Sequence, residues 1–308
     1  STLFPYTTLF RSMPQNWRVI TDLGLGVLRA RGADAGAFLQ GQLSNDTARL
    51  QPGQLQWSGY HNPQGRVIAL LRLTLLAADD LLALMPAELV PMVVARLQRY
   101  VLRAKVRISD DSAQWQILGY PGPAPQLPGG ALALPCGKSR RLVLLATPGG
   151  APGAGADQGT GIEAAAAPGT RLDWVACDIA EGLPQVYLPT SEAFVAQMLN
   201  LDVIGGIAFD KGCYTGQEII ARAHYRGEVK RRMQRFVTAA AATLTPGQTV
   251  KLPDGRTCRI VEAAQRPDGR CEFLGVAPLV SAAEAPTGAT DATVNASALE
   301  LPYGLPGG

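Results

Sequence analysis

The spacing of apolar residues predicts most of the secondary structure in the first part of the chain. Short apolar runs predict strands at residues 26–31, 57–60, 67–76 and 104–108. Asn62-Pro-Gln-Gly65 has the composition of a turn between the second and third of these strands. Helical spacing predicts helices at residues 35–42, with Asp34 as N-cap, and at residues 89–100. Strands interleaved with two helices predict an α+β fold of ferredoxin-like antiparallel α/β layers.

The later part of the chain has shorter apolar runs and more turn residues. It predicts strands at residues 115–120, 132–134, 142–146 and 174–179, and then a helix capped by Ser191 that reaches residue 199. Beyond residue 231 the pattern is all-β, with strands predicted at residues 234–238, 249–252, 256–261, 271–277 and 298–301. Asp254-Gly255 and Asp268-Gly269 have the composition of hairpin turns. A small β-barrel is therefore the predicted C-terminal unit.

These changes of pattern predict three domains after a short N-terminal segment. Residues 13–110 are predicted to form an N-terminal α+β domain, residues 111–230 a second α+β domain, and residues 231–308 the C-terminal β-barrel domain. Residues 147–170 are rich in Gly, Ala and Pro, and we expect a flexible insertion there. Residues 1–12 resemble the translation of a widely used sequencing-adapter oligonucleotide, so we expect an artefact there and Met13 as the natural start.

Composition excludes several classes of protein. Hydrophobic residues make up 47% of the 308 residues and charged residues 17%, as in ordinary soluble globular chains. There is no apolar run of the roughly 18 residues that a membrane helix needs, so no membrane partner is expected. The five cysteines form no Cys-x-x-Cys pair and there are two histidines, which argues against a metal site. This cysteine usage favours a reducing cytoplasm.

Residues 209–227 carry the strongest candidate chemistry. Thr215 and Glu218 have the spacing of a capping box, which predicts a helix over residues 216–226 that ends at a left-handed Gly227. Just before it, Cys213 lies beside Lys211 and close to a helix start, and both conditions lower the pKa of a thiol. The plainer interpretation is a buried packing cysteine, and spacing alone favours it.

A basic run follows the same segment. It consists of Arg222, Arg226, Lys230, Arg231, Arg232 and Arg235. Its functional interpretation is contact with an anion or RNA, and its plainer one is a solvated helix end and strand edge. We favour the plainer one because the run lacks the interleaved aromatic residues that RNA-binding modules carry.

The sequence from Lys211 to Glu218, Lys-Gly-Cys-Tyr-Thr-Gly-Gln-Glu, resembles the signature of the YgfZ family. Members of that family are folate-binding relatives of the glycine-cleavage T-protein, an aminomethyltransferase, and are linked to iron–sulfur enzyme maintenance and tRNA modification. Residues 32–46, 182–202 and 301–303 also resemble the family, so the similarity extends over about residues 13–303. The resemblance implies a T-protein-like fold in a bacterial, cytoplasmic protein.

The resemblance also implies a ligand and partners. The ligand is tetrahydrofolate, and the partners are iron–sulfur enzymes such as radical enzymes that modify tRNA. Cys213 is then the reactive residue, and Lys211 stabilises its thiolate. The polar contacts to folate, carried over from motif positions, are Asn45, Asp46, Tyr60, Gln217 and Glu218. The alternative for each of these five is a loop or cap hydrogen bond.

Two departures from the T-protein argue against aminomethyl transfer. Whether the protein is an enzyme stays open at this point, and these departures favour a protein without enzyme activity. Within residues 65–70, two apolar residues stand in place of its acidic pair, and Ala180 takes the place of its pterin-facing Glu, with Glu181 one position away. A strand at this point would turn Glu181 to the opposite face. Three functions remain: an iron–sulfur maintenance factor, a one-carbon transferase that uses Asp46 or Glu181, and a tRNA-contacting module.

Overall fold

A computed structural model describes residues 19–122, 130–147, 169–227, 229–279 and 292–306. Five strands, arranged in the order β2-β3-β4-β1-β5, form an antiparallel sheet. They are β1 (Leu25–Arg31), β2 (Gln56–His61), β3 (Val67–Ala77), β4 (Asp80–Pro86) and β5 (Arg107–Asp110). Apart from β4, these strands were predicted, although the strand predicted at residues 104–108 overlaps β5 only at residues 107 and 108. β4 is fully buried and its apolar residues do not alternate, so the period of two that marks a half-exposed strand is absent.

Two helices accompany this sheet, α1 (Ala35–Gln40) and α2 (Val90–Gln98). Both were predicted, with bounds that were too long. In α2 the spacing of Val90, Val93, Val94 and Leu97 places four buried side chains on one face. The Asp34 side chain does not cap α1, and its carboxylate instead accepts a hydrogen bond from the backbone N–H of Lys105 at 2.6 Å.

A second, three-stranded sheet has the order β6-β8-β7. Its strands are β6 (Trp115–Pro121), β7 (Leu132–Cys136) and β8 (Arg140–Ala146), all close to their predicted positions. The predicted flexible insertion falls largely on residues 148–168, which lie outside the described residues, as do residues 1–12 and Met13.

The strand predicted at residues 174–179 is wrong, because these residues belong to the helix α3 (Arg171–Ala180). The sequence signal for it is a capping box. The Thr170 side chain accepts from the Asp173 backbone N–H, and the Asp173 carboxylate accepts from the Thr170 N–H at 2.8 Å. The predicted helix after Ser191 is also wrong. This part of the chain contains two short 3₁₀ turns instead, at Leu188–Thr190 and Ala196–Leu199. The Ser191 hydroxyl does not cap a helix and donates to the Ile68 carbonyl.

The last part of the chain contains α4 (Gln217–Tyr225) and a six-stranded sheet. The strands are β9 (Arg231–Ala241), β10 (Thr249–Lys251), β11 (Thr257–Gln265), β12 (Arg270–Pro278), β13 (Ala292–Thr293) and β14 (Ala296–Leu299). Their order, β13-β10-β11-β12-β9-β14, has two different end strands. Among the described residues the sheet therefore does not close on itself, and the predicted barrel is not confirmed.

One large hydrophobic core joins the parts that surround the signature segment. It includes Leu70 of β3, Ile179 of α3, Leu201, Ile220 of α4 and Val261 of β11, all buried. The shared core fixes these elements relative to one another, as close packing requires. Within the part of the chain that the structure describes, no helix is long and apolar enough to span a membrane.

His61, at the end of β2, is a buried polar residue whose ring lacks hydrogen bonds that would offset the cost of its burial. Its side chain is 1% exposed, and neither ring nitrogen has a hydrogen-bond partner among the described residues. Burial lowers the pKa of His61 to about 3, although the neighbouring backbone of Gly59 acts in the opposite direction. The folded protein therefore holds this imidazole neutral in mildly acidic solution, where the unfolded chain binds a proton.

We expect His61 to make the protein sensitive to acid. In the unfolded chain the group titrates near its ordinary pKa of about 6.5. As the pH is lowered from 6.5 towards the lowered pKa of the folded state, the free energy of unfolding should fall by about 1.4 kcal/mol for each pH unit. Urea unfolding across this range should show a flatter pH dependence for His61→Leu than for the original protein. The matched control is His224→Gln, at the exposed histidine. If His61→Leu keeps the original pH dependence, the assignment is wrong.

Candidate functional site

The signature helix α4 begins where the chain crosses the β2–β3 turn. Gly216, directly before the helix, has φ +82°, and a Cβ there would lie 2.5 Å from the Asn62 carbonyl oxygen and 3.0 Å from the Gly65 Cα. No other residue fits this crossing without moving the turn. The capping box predicted for Thr215 and Glu218 is wrong, because the N-cap is Gly216 and no side chain caps the helix.

The predicted end of α4 is also wrong. The helix stops at Tyr225 with Arg226 as C-cap, and Gly227 does not adopt the left-handed conformation. The helix is instead fixed through its interior, where the Gln197 side-chain amide donates to the Ile220 carbonyl at 2.7 Å. Tertiary contacts, and not local caps, therefore set the position of α4.

Lys211 connects the signature segment to the loop after α1. Its ammonium group donates to the carbonyl oxygens of Gln40 at 2.6 Å, Leu43 at 2.6 Å and Asn45 at 2.9 Å. Burial lowers the pKa of Lys211 to about 8, and the charge of the nearby Asp46 carboxylate acts in the opposite direction. All three N–H bonds are used, so this ammonium has none left for the Cys213 thiol. Its predicted stabilisation of the thiolate remains a prediction.

Two neighbours of these carbonyls strengthen the same contact. The Asn45 side-chain amide donates to the carbonyls of Trp57 and Gly205, each at 2.7 Å. The Ser44 hydroxyl donates to the Gly206 carbonyl at 2.7 Å. Together with Lys211 these bonds hold residues 43–46 against residues 205–211, and we call this contact the loop clamp.

Cys213 differs from the other cysteines of the chain. It is exposed, whereas Cys136, Cys177, Cys258 and Cys271 are buried. Its neighbour Tyr214 points inward and is 7% exposed, and burial raises the pKa of that phenol to about 12. Lys211 and Tyr214 thus anchor the segment on both sides of an exposed thiol, and the buried packing cysteine favoured from spacing is wrong.

Two of the five predicted folate contacts, Asn45 and Asp46, make hydrogen bonds within the fold. The Asn45 amide is used in the loop clamp, and the Asp46 carboxylate accepts from the Gln40 side chain at 2.9 Å and the Ala48 N–H at 3.0 Å. Burial raises the pKa of Tyr60 to about 12. Gln217 is half-buried and Glu218 is exposed. The alternative of loop and cap hydrogen bonds therefore describes Asn45 and Asp46, and none of the five predicted residues lines either cavity described for the protein.

The carboxylates that a transferase requires are also engaged elsewhere. Asp46 pairs with Arg49 at 3.1 Å, in addition to its cap contacts. Glu181 follows the end of α3 and accepts from the Lys138 N–H at 3.0 Å and the Arg140 side chain at 3.3 Å. The strand argument for Glu181 is wrong because this segment is helical. Neither carboxylate lines a described cavity.

A buried charged cluster that the sequence analysis missed lies between β3, β8 and α3. Asp178 accepts from Arg140 at 2.8 Å and from Arg72 at 3.4 Å. The Arg72 guanidinium lies 4.5 Å from the ring centre of Trp57, and that of Arg140 lies 4.4 Å from the ring of Trp174. A single arginine inside the apolar run of β3 was the available signal.

A small central cavity adjoins this cluster. Its volume is about 10 Å³, and its polar lining comprises Arg72, Arg171, Asp178, Gln185 and Tyr187. The Nε atom of Arg72 has no hydrogen-bond partner among the described residues. A cavity of this size holds about one water molecule.

The cavity wall is linked to the C-terminal sheet. The Tyr187 hydroxyl donates to Glu262 of β11 at 2.6 Å. Burial raises the pKa of Glu262 to about 8, and burial likewise raises that of Tyr187. This pair is a second feature that sequence patterns did not indicate, because its members lie 75 residues apart.

The basic run divides into three groups. Arg232 is buried and paired with Asp202 at 2.8 Å, and Arg235 is buried and paired with Glu272. These two arginines hold the fold together. Arg231 is half-buried and donates to the Thr257 carbonyl at 3.1 Å. Arg222, Arg226 and Lys230 are exposed.

Comparison with known proteins identifies relatives over most of the chain. It is 30% identical over 240 residues to the tRNA-modifying protein YgfZ of Vibrio vulnificus, covering 74% of this chain and 72% of the relative. It is 34% identical over 230 residues to the protein of the same name from Edwardsiella ictaluri, covering 67% of this chain and 66% of the relative. An uncharacterized protein of Haemophilus influenzae is 32% identical over 211 residues, with 68% and 70% covered. No family model matches the chain.

The fold resembles that of a solved aminomethyltransferase. The glycine cleavage system aminomethyltransferase T from Bartonella henselae superimposes with a TM-score of 0.61 at 15% sequence identity. The match covers 86% of this chain and 79% of that protein. The predicted T-protein-like α+β fold is therefore confirmed.

The loop clamp predicts a large stability loss when its cation is removed. Lys211→Met should lower the free energy of unfolding by about 2–3 kcal/mol, because three partly buried carbonyl groups lose a charged donor. Urea unfolding measures this difference. The matched control is Lys230→Met, an exposed lysine, which should change stability by less than about 0.5 kcal/mol. Equal stability of the two variants would contradict the clamp.

Proposed function

This chain belongs to the YgfZ family, and on that basis we propose that it supports tRNA modification by maintaining iron–sulfur enzymes, with Cys213 as the reactive residue. The family relatives are named as tRNA-modifying proteins, which supports the general role. The observation that carries the specific role is the exposure of Cys213, while the other four cysteines are buried.

A single thiol sets the kind of chemistry. Among the described residues no group of three or more His, Cys, Asp or Glu side chains is arranged to hold a metal ion. Iron–sulfur clusters are usually held by four cysteines, so Cys213 supplies one ligand at most. The cluster therefore stays on the partner enzyme, and the sulfur of Cys213 contacts an iron of that cluster only transiently.

The loop clamp gives this contact a fixed geometry. Lys211 and Tyr214 are held from the protein side, so the Cys213 side chain projects from a segment with little freedom. Preorganisation of this kind lowers the entropy cost of contact with a partner. Lys211 is a positioning residue in this proposal, since its ammonium is engaged with backbone carbonyls.

We further propose that the central cavity binds a reduced folate. Arg72, Arg171 and Gln185 line it and offer polar groups to a pterin edge, while the Asp178 carboxylate and the Tyr187 hydroxyl already bind Arg140 and Glu262. The unpaired Nε of Arg72 is a buried donor that such a ligand would satisfy. Ligand sites usually measure about 300 Å³ or more, so the cavity of about 10 Å³ must widen before the ligand enters.

When bound, a reduced folate supplies a carrier of one-carbon units. The residues that would hold it are Arg72, Arg171 and Gln185. The positions of Asp46 and Glu181 give no support to a transferase reaction, because both carboxylates are engaged in protein contacts. The folate is therefore proposed as a ligand that is not consumed.

The role of Cys213 can be tested in a bacterial strain that lacks its own protein of this family. The original chain should restore modified tRNA nucleosides whose synthesis needs iron–sulfur enzymes, as measured by mass spectrometry of digested tRNA. Cys213→Ser should restore less than a tenth of that amount. The matched control is Cys136→Ala, at a buried cysteine, with protein levels measured by immunoblot. Full restoration by Cys213→Ser would refute the proposed reactive residue.

Folate binding can be tested by calorimetry with tetrahydrofolate and purified protein. We expect saturable binding that Cys213→Ala leaves unchanged. Arg171→Met should weaken it roughly tenfold, since a charge-assisted hydrogen bond contributes about 1.5–3 kcal/mol. Arg171 lies at the exposed start of α3, so this change should not unfold the protein. The control is Arg31→Met, at an exposed arginine outside the cavity. No binding by the original protein would end the folate proposal.

A further inference from the structure

The outer face of α4 carries aromatic rings and cations beside the Cys213 segment. Phe209 and His224 stack with ring centres 3.7 Å apart and planes inclined by 17°. The Tyr225 ring meets both of them edge-on, at 6.0 and 4.8 Å. Together with the flanking arginines these rings form what we call the α4 patch, namely Phe209, Arg222, His224, Tyr225 and Arg226.

The patch is open to solvent. Tyr225 is 69% exposed, compared with 54% for Tyr100, and His224 is also exposed. A large exposed aromatic ring on a folded helix indicates an interaction surface when it is part of a contiguous group. The stack of Phe209 on His224 orders these rings before any partner arrives.

Its cations are available to a partner. No carboxylate among the described residues forms an ion pair with Arg222, Arg226 or Lys230, in contrast to the buried pairs of Arg232 and Arg235. The nearby Asp210 is occupied by Arg49 at 2.5 Å. Glu218, one turn before Arg222, is the exposed acidic side chain of α4. The patch therefore keeps an excess of positive charge.

Aromatic faces next to unpaired arginines match the chemistry of single-stranded nucleic acid. Unstacked bases pack on aromatic side chains, and arginine binds the phosphates and stacks on bases. A duplex keeps its bases stacked internally and offers no free base face to Tyr225. The expectation that the basic run lacks interleaved aromatic residues is wrong, because His224 and Tyr225 lie between Arg222 and Arg226.

We infer that the α4 patch binds single-stranded RNA, with an unpaired base stacked on Tyr225 and phosphates held by Arg222 and Arg226. Phe209 and α4 flank Cys213 in the sequence, so the patch and the reactive thiol belong to the same segment of the chain. The inference rests on the proposed role in tRNA modification. Its test measures RNA binding alone, so its failure is distinguishable from failure of the Cys213 or folate proposals.

The test uses fluorescence anisotropy with a labelled single-stranded oligoadenylate of twelve nucleotides and with a duplex RNA of the same length. The original protein should bind the single strand at least tenfold more tightly than the duplex. Tyr225→Ala should weaken binding roughly tenfold without changing the dependence of log affinity on log salt, because a base contact is lost and no charge is removed. Tyr225→Phe keeps the ring and should bind like the original protein.

The charged part of the patch has a separate signature. Replacing Arg222 and Arg226 with Gln should reduce the slope of log affinity against log salt by about 1.4, since each phosphate contact to a single strand contributes about 0.7. The matched control for Tyr225→Ala is Tyr100→Ala, at an exposed tyrosine outside the patch, which should change neither the affinity nor the salt slope. Circular dichroism checks that each variant is folded.

Several results would overturn the inference. These are tighter binding to the duplex, equal losses for Tyr225→Ala and Tyr100→Ala, and an unchanged salt slope in the double arginine variant. Absence of RNA binding by the original protein would also refute it and would favour a protein partner for this surface.

Discussion

The contact of Lys211 with three backbone carbonyls is the interaction on which the arrangement of the site depends. It joins segments that lie 166 to 171 residues apart in the chain. A half-buried ammonium is costly unless each of its hydrogens finds an acceptor, and here each one does. The carbonyls are equally in need of a donor, because their own loop leaves them unpaired. The two family-like motifs of the sequence therefore meet as the two halves of one contact.

The protein has two different polar environments. One is the exposed thiol, in the same segment of the chain as the aromatic rings and cations of the α4 patch. The other is a buried cluster, where Asp178 binds Arg72 and Arg140 and each guanidinium lies near a tryptophan ring. Buried charges of this kind are retained only when they are paired, so the cluster resists rearrangement. A ligand that enters the central cavity must replace some of these contacts with its own polar groups.

Sequence patterns correctly predicted those strands and turns whose spacing of apolar residues matches the way they are buried in the fold. The strands β2 and β3 and the turn between them have alternating or continuous apolar residues and a turn composition, and the structure confirms them. Failures occurred where the two disagree. The fully buried β4 has no period of two, and α3 has a short, strongly apolar sequence that resembles a strand. The start of α4 is set by the close crossing at Gly216, which a capping pattern does not reveal.

The sequence by itself determined the fold class, the family and the identity of the candidate functional residues, because spacing, composition and sequence motifs are local properties of the chain. Tertiary structure alone decided what each residue does. It turned Lys211 into a clamp, left Cys213 exposed, engaged Asn45 and Asp46 in hydrogen bonds to the protein, and divided the basic run into buried pairs and free surface cations. The physical reason is that burial and pairing depend on tertiary contacts, which for Lys211 span up to 171 residues of the chain, and no local pattern records them.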